Sequence, residues 1–132
     1  MVNLREVAPG LFVGAEAATR EMNWALVVSV GGDDQRPSAP QIRWYFDDGV
    51  PIPDGLLDLV HARVTGQGQA PVLIHCAAGR SRSASVAYAL IRANGGLDHA
   101  GALARVQTPG DEGRYPMPAT LQSARRWVAS KR

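Results

Sequence analysis

The 132-residue chain is predicted to be an α/β protein, with a central mixed, largely parallel sheet of about four to five strands flanked by helices. Short apolar runs rich in Val, Leu and Ile recur along it, each too short for a helix and each stopped by glycine or a Gly/Pro/Asp cluster. Segments of helix-forming composition separate these runs. One run passes directly through a short polar segment into a long apolar helix, and strands alternating with helices make a sheet covered by helices.

Taken in order, Leu11-Phe12-Val13-Gly14 reads as a short strand and residues 16–22 as helical by composition. Ala25-Leu26-Val27-Val28-Ser29-Val30, ended by Gly31-Gly32, has the unbroken apolar pattern of a buried strand. Residues 31–40 are turn material, and Ile42 to Phe46 reads as a further strand ending at Asp47-Asp48-Gly49. Asp54 suits the N-cap of a helix reaching about Thr65, with Leu56, Leu57, Val60 and Val64 on one face. Val72-Leu73-Ile74-His75 is another apolar strand. The helix from Ser83 to Asn94 is apolar nearly all round, so it is expected to be buried, and Gly95-Gly96 closes it. Asp98 caps a helix to Gln107. After a Pro/Gly-rich loop, the last helix occupies about 119–130.

The balance of 45% hydrophobic and 20% charged residues is globular, and residues 1–132 are expected to form one domain. Cys76 is the sole cysteine, which excludes an internal disulfide and a Cys-rich zinc site and fits a reducing cytoplasm. No signal-peptide pattern opens the sequence, and no run approaches the roughly 18 apolar residues of a membrane span. The net charge of +2 comes from scattered arginines, either as a solvated basic surface or as a weak field for anionic partners. The His, Asp and Cys positions make no ligand cluster, so no metal or other cofactor is expected. A monomer that binds no nucleic acid is the simplest expectation.

Chemistry concentrates in His75-Cys76-Ala77-Ala78-Gly79-Arg80-Ser81-Arg82-Ser83. A lone cysteine after a strand is ordinarily a small buried hydrophobe. That does not account for the arginines and serines around it in a segment entering the core. A tight turn between strand and helix leaves backbone N–H groups pointing at one spot beside a helix N-terminus, which suits an anion. Arg82, six positions after Cys76, can return to that cradle and donate two hydrogen bonds to a phosphate. A thiol in such a place is favoured as its nucleophilic thiolate.

These residues resemble the His-Cys-x5-Arg-Ser/Thr signature of the protein tyrosine phosphatase superfamily, and the Ser81-Arg82-Ser83 ending is similar to its dual-specificity branch. Val7-Ala8-Pro9-Gly10-Leu11-Phe12-Val13-Gly14 looks like that branch's first strand and Val27-Val28-Ser29-Val30 like its next core strand, so the likeness spans essentially the whole chain. It implies the cysteine-dependent phosphatase fold and a phosphomonoester substrate, such as a phosphorylated protein. Cys76 would be the nucleophile, and Ala77, Ala78, Gly79, Arg80, Ser81 and Arg82 the phosphate cradle. Ser83 would assist departure of the thiolate, and His75 would orient the loop. A general acid is implied about 30 residues earlier. Phe46-Asp47-Asp48-Gly49-Val50-Pro51 lies there, with Asp48 the better placed aspartate and Asp47 the lesser one.

The low-molecular-weight tyrosine phosphatases open on the cysteine motif and place the acid after it, whereas here the motif is central and follows the acid. Rhodanese-like sulfur transferases leave Asp48 and Ser83 unexplained. A phosphate-binding module without catalysis is the alternative from another class. Arg80 either faces solvent or binds a second phosphate, as in phosphoinositide-directed relatives. Arg114 and Tyr115 of the 108–118 loop either border the active site or only close the gap between two helices.

Overall fold

The computed structural model describes residues 3–32, 40–68 and 70–131. Five strands form one sheet: β1 (Leu4–Ala8), β2 (Leu11–Gly14), β3 (Leu26–Ser29), β4 (Gln41–Arg43) and β5 (Val72–His75). Their order is β1-β2-β5-β3-β4. β1 pairs antiparallel with β2, and every other pairing is parallel. The sheet is mixed and largely parallel, as its apolar runs imply. β5 lies at its centre, and its last residue, His75, is in register with Gly14 on one side and Ser29 on the other.

Among the described residues four α-helices flank the sheet: α1 (Leu56–Gly66), α2 (Arg82–Ala93), α3 (His99–Val106) and α4 (Pro118–Ser130). Alternation along β5 sorts the core into two layers. Val72 and Ile74 join Val13, Val28 and apolar side chains from all four helices in the larger cluster. Leu73 points the other way, onto Ala18, Trp24 and Val27. Phe12 meets Trp24 edge to face there, with ring centroids 5.2 Å apart. α2 is buried at every position from Ser83 to Ile91, matching its all-round apolar sequence.

Local structure departs from the sequence expectation in four places. The antiparallel partner β1 lies ahead of the first expected strand. The 16–22 segment is a 3-10 turn, Glu16–Arg20, in which Thr19 Oγ1 donates to the Glu16 carbonyl and Trp24 Nε1 to that of Ala18. The strand expected over 42–46 is regular only to Arg43, although Trp44 and Phe46 still donate to Ser29 and Val30 as the chain leaves the sheet. Gly55, not Asp54, is the N-cap of α1; its left-handed backbone (φ 84°) follows a turn that joins Leu56 N to Pro53 O. Most of the expected 31–40 turn lies outside the described residues. Asp98 does cap α3, accepting from Gly101 N at 2.8 Å.

No helix among the described residues is long and apolar enough to cross a membrane.

Ile74 is fully buried where strand pairing and helix packing converge. Ile74→Ala is expected to lower the unfolding free energy by about 2–5 kcal/mol in a urea titration.

Candidate active site

β5 ends at His75, α2 begins at Arg82, and the loop between them wraps a small cavity. The cavity holds about 140 Å³ and is lined by Cys76, Arg82 and Asp48, by the loop, and by Tyr115. Cys76 is 3% exposed, at the bottom of the loop. Its sulfur accepts from Gly79 N at 3.3 Å and lies 3.2 Å from Ser83 Oγ.

The backbone of the loop is sorted by polarity. The carbonyl of Ala77 accepts from Glu16 N at 3.2 Å, that of Ala78 from Asn3 Nδ2 at 2.7 Å, and that of Gly79 from Arg5 Nη2 at 3.0 Å. Among the described residues, the N–H groups of Ala77, Ala78, Arg80, Ser81 and Arg82 donate to no protein acceptor. Carbonyls are held from behind and amides are left for an anion in front, at the start of α2. Arg5 also donates to Val106 O. Burial lowers its guanidinium from the ordinary value, and the charges of Asp111 and Cys76 pull it back up.

Two glycines make this packing possible. Gly79 takes a left-handed backbone (φ 75°), and a Cβ there would sit 2.5 Å from the carbonyl carbon of Gly14. A Cβ on Gly31 would lie 2.2 Å from Arg82 Nη1, so this glycine opens the path of the arginine side chain.

His75 is fully buried beneath the loop, with Nε2 2.7 Å from Ser29 Oγ and Nδ1 3.4 Å from the Cys76 carbonyl. It buttresses the turn from below and does not reach the cavity surface. Asp48 comes to the cavity rim from the loop after β4. Its Oδ1 accepts from Ser81 Oγ at 2.6 Å and from Gly49 N at 3.0 Å, which leaves Oδ2 without a partner among the described residues. Arg82 Nη1 donates to Phe46 O at 3.0 Å and so ties this loop to the cradle. Asp47 is exposed and does not line the cavity.

Other anchors could not be read from sequence. Buried Thr120, on α4, accepts from Gly49 N at 3.1 Å and donates to Val50 O at 2.8 Å; Ser123 accepts from Ile52 N at 2.9 Å. Of the two sequence readings of the 108–118 loop, the structure has the one beside the site: Tyr115 lines the cavity, and the loop grips the cradle at two points. Met117 N donates to Ser81 Oγ at 2.9 Å, so the Ser81 hydroxyl proton is directed at Asp48. Arg80 forms a two-point ion pair with buried Asp111 and stacks over Tyr115 at 4.8 Å. The Arg80 side chain is thus 43% exposed to solvent yet engaged through its guanidinium by Asp111, and not free for a second phosphate. A polar sequence around Pro and Gly gives no hint of a partner 31 positions away.

No family model matches the sequence, and no curated protein matches it. Solved structures do. Human DUSP28 is 24% identical and superposes with a TM-score of 0.75 over 97% of this chain and 94% of its own. A mouse dual specificity phosphatase solved with zinc tungstate is 23% identical, with a TM-score of 0.71 over 97% of this chain and 89% of its own. The chain has the fold of the small dual-specificity phosphatases. A human tyrosine phosphatase-like serine/threonine/tyrosine-interacting protein shares the dual-specificity phosphatase fold at 18% identity, with a TM-score of 0.74 over 98% of this chain and 97% of its own.

The hydrogen bonds from Arg80 hold the Asp111 carboxyl below its ordinary value. A depressed carboxylate contributes stability above its unfolded pKa of about 3.9 and loses it as pH falls further. Asp111→Asn is expected to be less stable than wild type at pH 7, with the gap narrowing below about pH 4 in thermal melts.

Proposed function

We propose that residues 1–132 form one catalytic domain that hydrolyses phosphate monoesters through a phosphocysteine intermediate. Convergence carries this reading: a buried thiol, an arginine, a carboxylate and a set of unpaired N–H groups surround one cavity of about 140 Å³. The shared fold does not decide activity, which lives in the site.

In the first step the Cys76 thiolate attacks phosphorus and the bond from phosphorus to the ester oxygen breaks. The Arg82 fork and the loop amides hold the equatorial oxygens, where charge is concentrated. Asp48 protonates the departing oxygen, with Oδ2 as the proton carrier because Ser81 and Gly49 occupy Oδ1. In the second step water attacks phosphorus and gives a proton to Asp48. The P–S bond breaks and returns a thiolate, which Ser83 Oγ receives with a hydrogen bond. His75 keeps the turn in place through Ser29 and contacts no substrate.

Phosphotyrosine in proteins is the proposed substrate, with phosphoserine and phosphothreonine admitted by so small a cavity. Engagement of Arg80 by Asp111 counts against a phosphoinositide or polyphosphate, since the residue that would take the second phosphate is already paired.

Cys76→Ser is expected to abolish turnover of para-nitrophenyl phosphate while still binding a phosphopeptide in a fluorescence titration; retained hydrolysis would overturn the assignment. Asp48→Asn is expected to slow alkyl phosphates by about 10²–10⁴-fold and aryl phosphates, whose leaving groups need less protonation, far less. Equal losses on both would point to another acid.

A further inference from the structure

Beyond the catalytic pocket, two larger cavities continue along α4. The first, about 280 Å³, has the apolar walls Leu103, Pro116, Pro118 and Leu121 and shares Tyr115 with the catalytic pocket. The second, about 450 Å³, is walled by Arg92, Arg125 and Arg126 and shares Gln122 and Arg125 with the first. Pro118, Leu121, Gln122, Arg125 and Ala129 recur at three- and four-residue spacing, so one stripe of α4 runs through both cavities. Next to the catalytic pocket the path has apolar walls with Arg114 beside Tyr115, and it is strongly cationic at its far end.

Among the described residues no carboxylate lines either cavity. Arg125 and Arg126 are exposed, while Arg92 donates to Tyr88 OH at 3.0 Å. The positive field is felt by His99, whose imidazole is held below its usual range by burial first and then by Arg125 and Arg92; Asp98 opposes them.

We propose that these cavities form a docking groove for the polypeptide flanking the phosphorylated residue, with Asp or Glu of the substrate seated on Arg125, Arg126 and Arg92. The proposal rests on the phosphatase reading for what occupies the near end, and it adds a substrate class: phosphoproteins with a displaced acidic segment. Arg125 stands seven positions beyond Pro118, about 10 Å along the helix. An extended chain covers that in about three residues, and crossing Tyr115 needs a few more, so the acidic segment belongs about four to seven residues from the phosphoresidue. Guanidinium groups suit carboxylates because the planar fork donates two parallel bonds. A membrane surface fits less well, because the arginines continue a path that adjoins the catalytic pocket at Tyr115.

The test compares phosphotyrosyl peptides carrying Glu or Gln at positions four to seven, on either side of the phosphotyrosine. The Glu peptide is expected to be preferred by about fivefold in kcat/KM on one side, through KM. The preference should vanish in 1 M salt, where the Debye length is about 3 Å. Arg125→Glu combined with Arg126→Glu should remove it without changing kcat or para-nitrophenyl phosphate turnover; Arg125→Gln is the milder variant should the double change unsettle α4. Equal handling of Glu and Gln peptides by wild type, or a preference that survives in the variants, would overturn the proposal. Binding of the same peptides to Cys76→Ser reads the discrimination without turnover. A chain inert on para-nitrophenyl phosphate would thus sink the phosphatase reading, whereas equal affinity for the two peptides would sink the groove. Phosphatidylserine vesicles that bind wild type but not the double variant, with no peptide discrimination, would assign the face to a membrane and also overturn it.

Discussion

A loop can keep its backbone N–H groups free for an anion only if its carbonyls are satisfied from elsewhere, and that constraint organises this molecule. Here Glu16 N, Asn3 Nδ2 and Arg5 Nη2 close the carbonyls of Ala77, Ala78 and Gly79 from behind. At Gly79, the buried residue of the three, a carbonyl without a partner would cost roughly 1–3 kcal/mol; Ala77 and Ala78 are exposed, and their bonds fix the loop's shape. The supports come from the hairpin edge of the sheet and from the 3-10 turn after it. β1 therefore does more than extend the sheet: Arg5 on it and Asn3 just before it are the two side chains that lock the cradle. The guanidinium of Arg5, buried behind the loop, also adds positive charge on the side facing Cys76.

Once the loop is locked, everything else must be brought to it at fixed distance. The register of β5 with β2 and β3 places Gly14 and Ser29 beside His75, so the sheet ends in one plane and the cradle rises from it. Ser29 holds the histidine, and the absence of a Cβ at Gly31 lets Arg82 lie across the end of β3. The loop bearing Asp48 is tied to α4 by Thr120 and Ser123 and to Arg82 through the Phe46 carbonyl. Such ties set an acid near the cavity before substrate arrives, which is where positioning contributes most to rate.

The legible and illegible parts of the site differ by sequence separation. His75 to Ser83 could be read because strand, anion loop and helix start are contiguous, so their chemistry and spacing lie in one window. Asp48 was reachable only through the likeness to a known family, since two aspartates before a glycine also suit an ordinary turn. The supports were invisible. Arg5 to Gly79 spans 74 positions, Gly49 to Thr120 spans 71, and Arg80 to Asp111 spans 31. Nothing in a threonine, or in an aspartate of a Gly-rich loop, announces such a partner. Fold class survived better because apolar periodicity is local, whereas the N-cap at Gly55, with its left-handed backbone, and the short 3-10 turn at Glu16 rest on backbone geometry that composition does not show.

The 108–118 loop joins what the sequence kept apart. Asp111 holds Arg80, Met117 N orients the Ser81 hydroxyl, and Ser81 in turn fixes Asp48. One loop thereby braces both the anion cradle and the proposed acid. The same loop supplies Tyr115, which walls the cavity on one side and the groove beside α4 on the other. Tyr115 divides the two cavities, and the hydrogen bonds that fix Asp48 run through Ser81 on the catalytic side of it. A polypeptide in the proposed groove would therefore add binding without touching those bonds. One loop can thus serve recognition and chemistry while keeping them separable, which is why the groove is read in KM and the cradle in kcat.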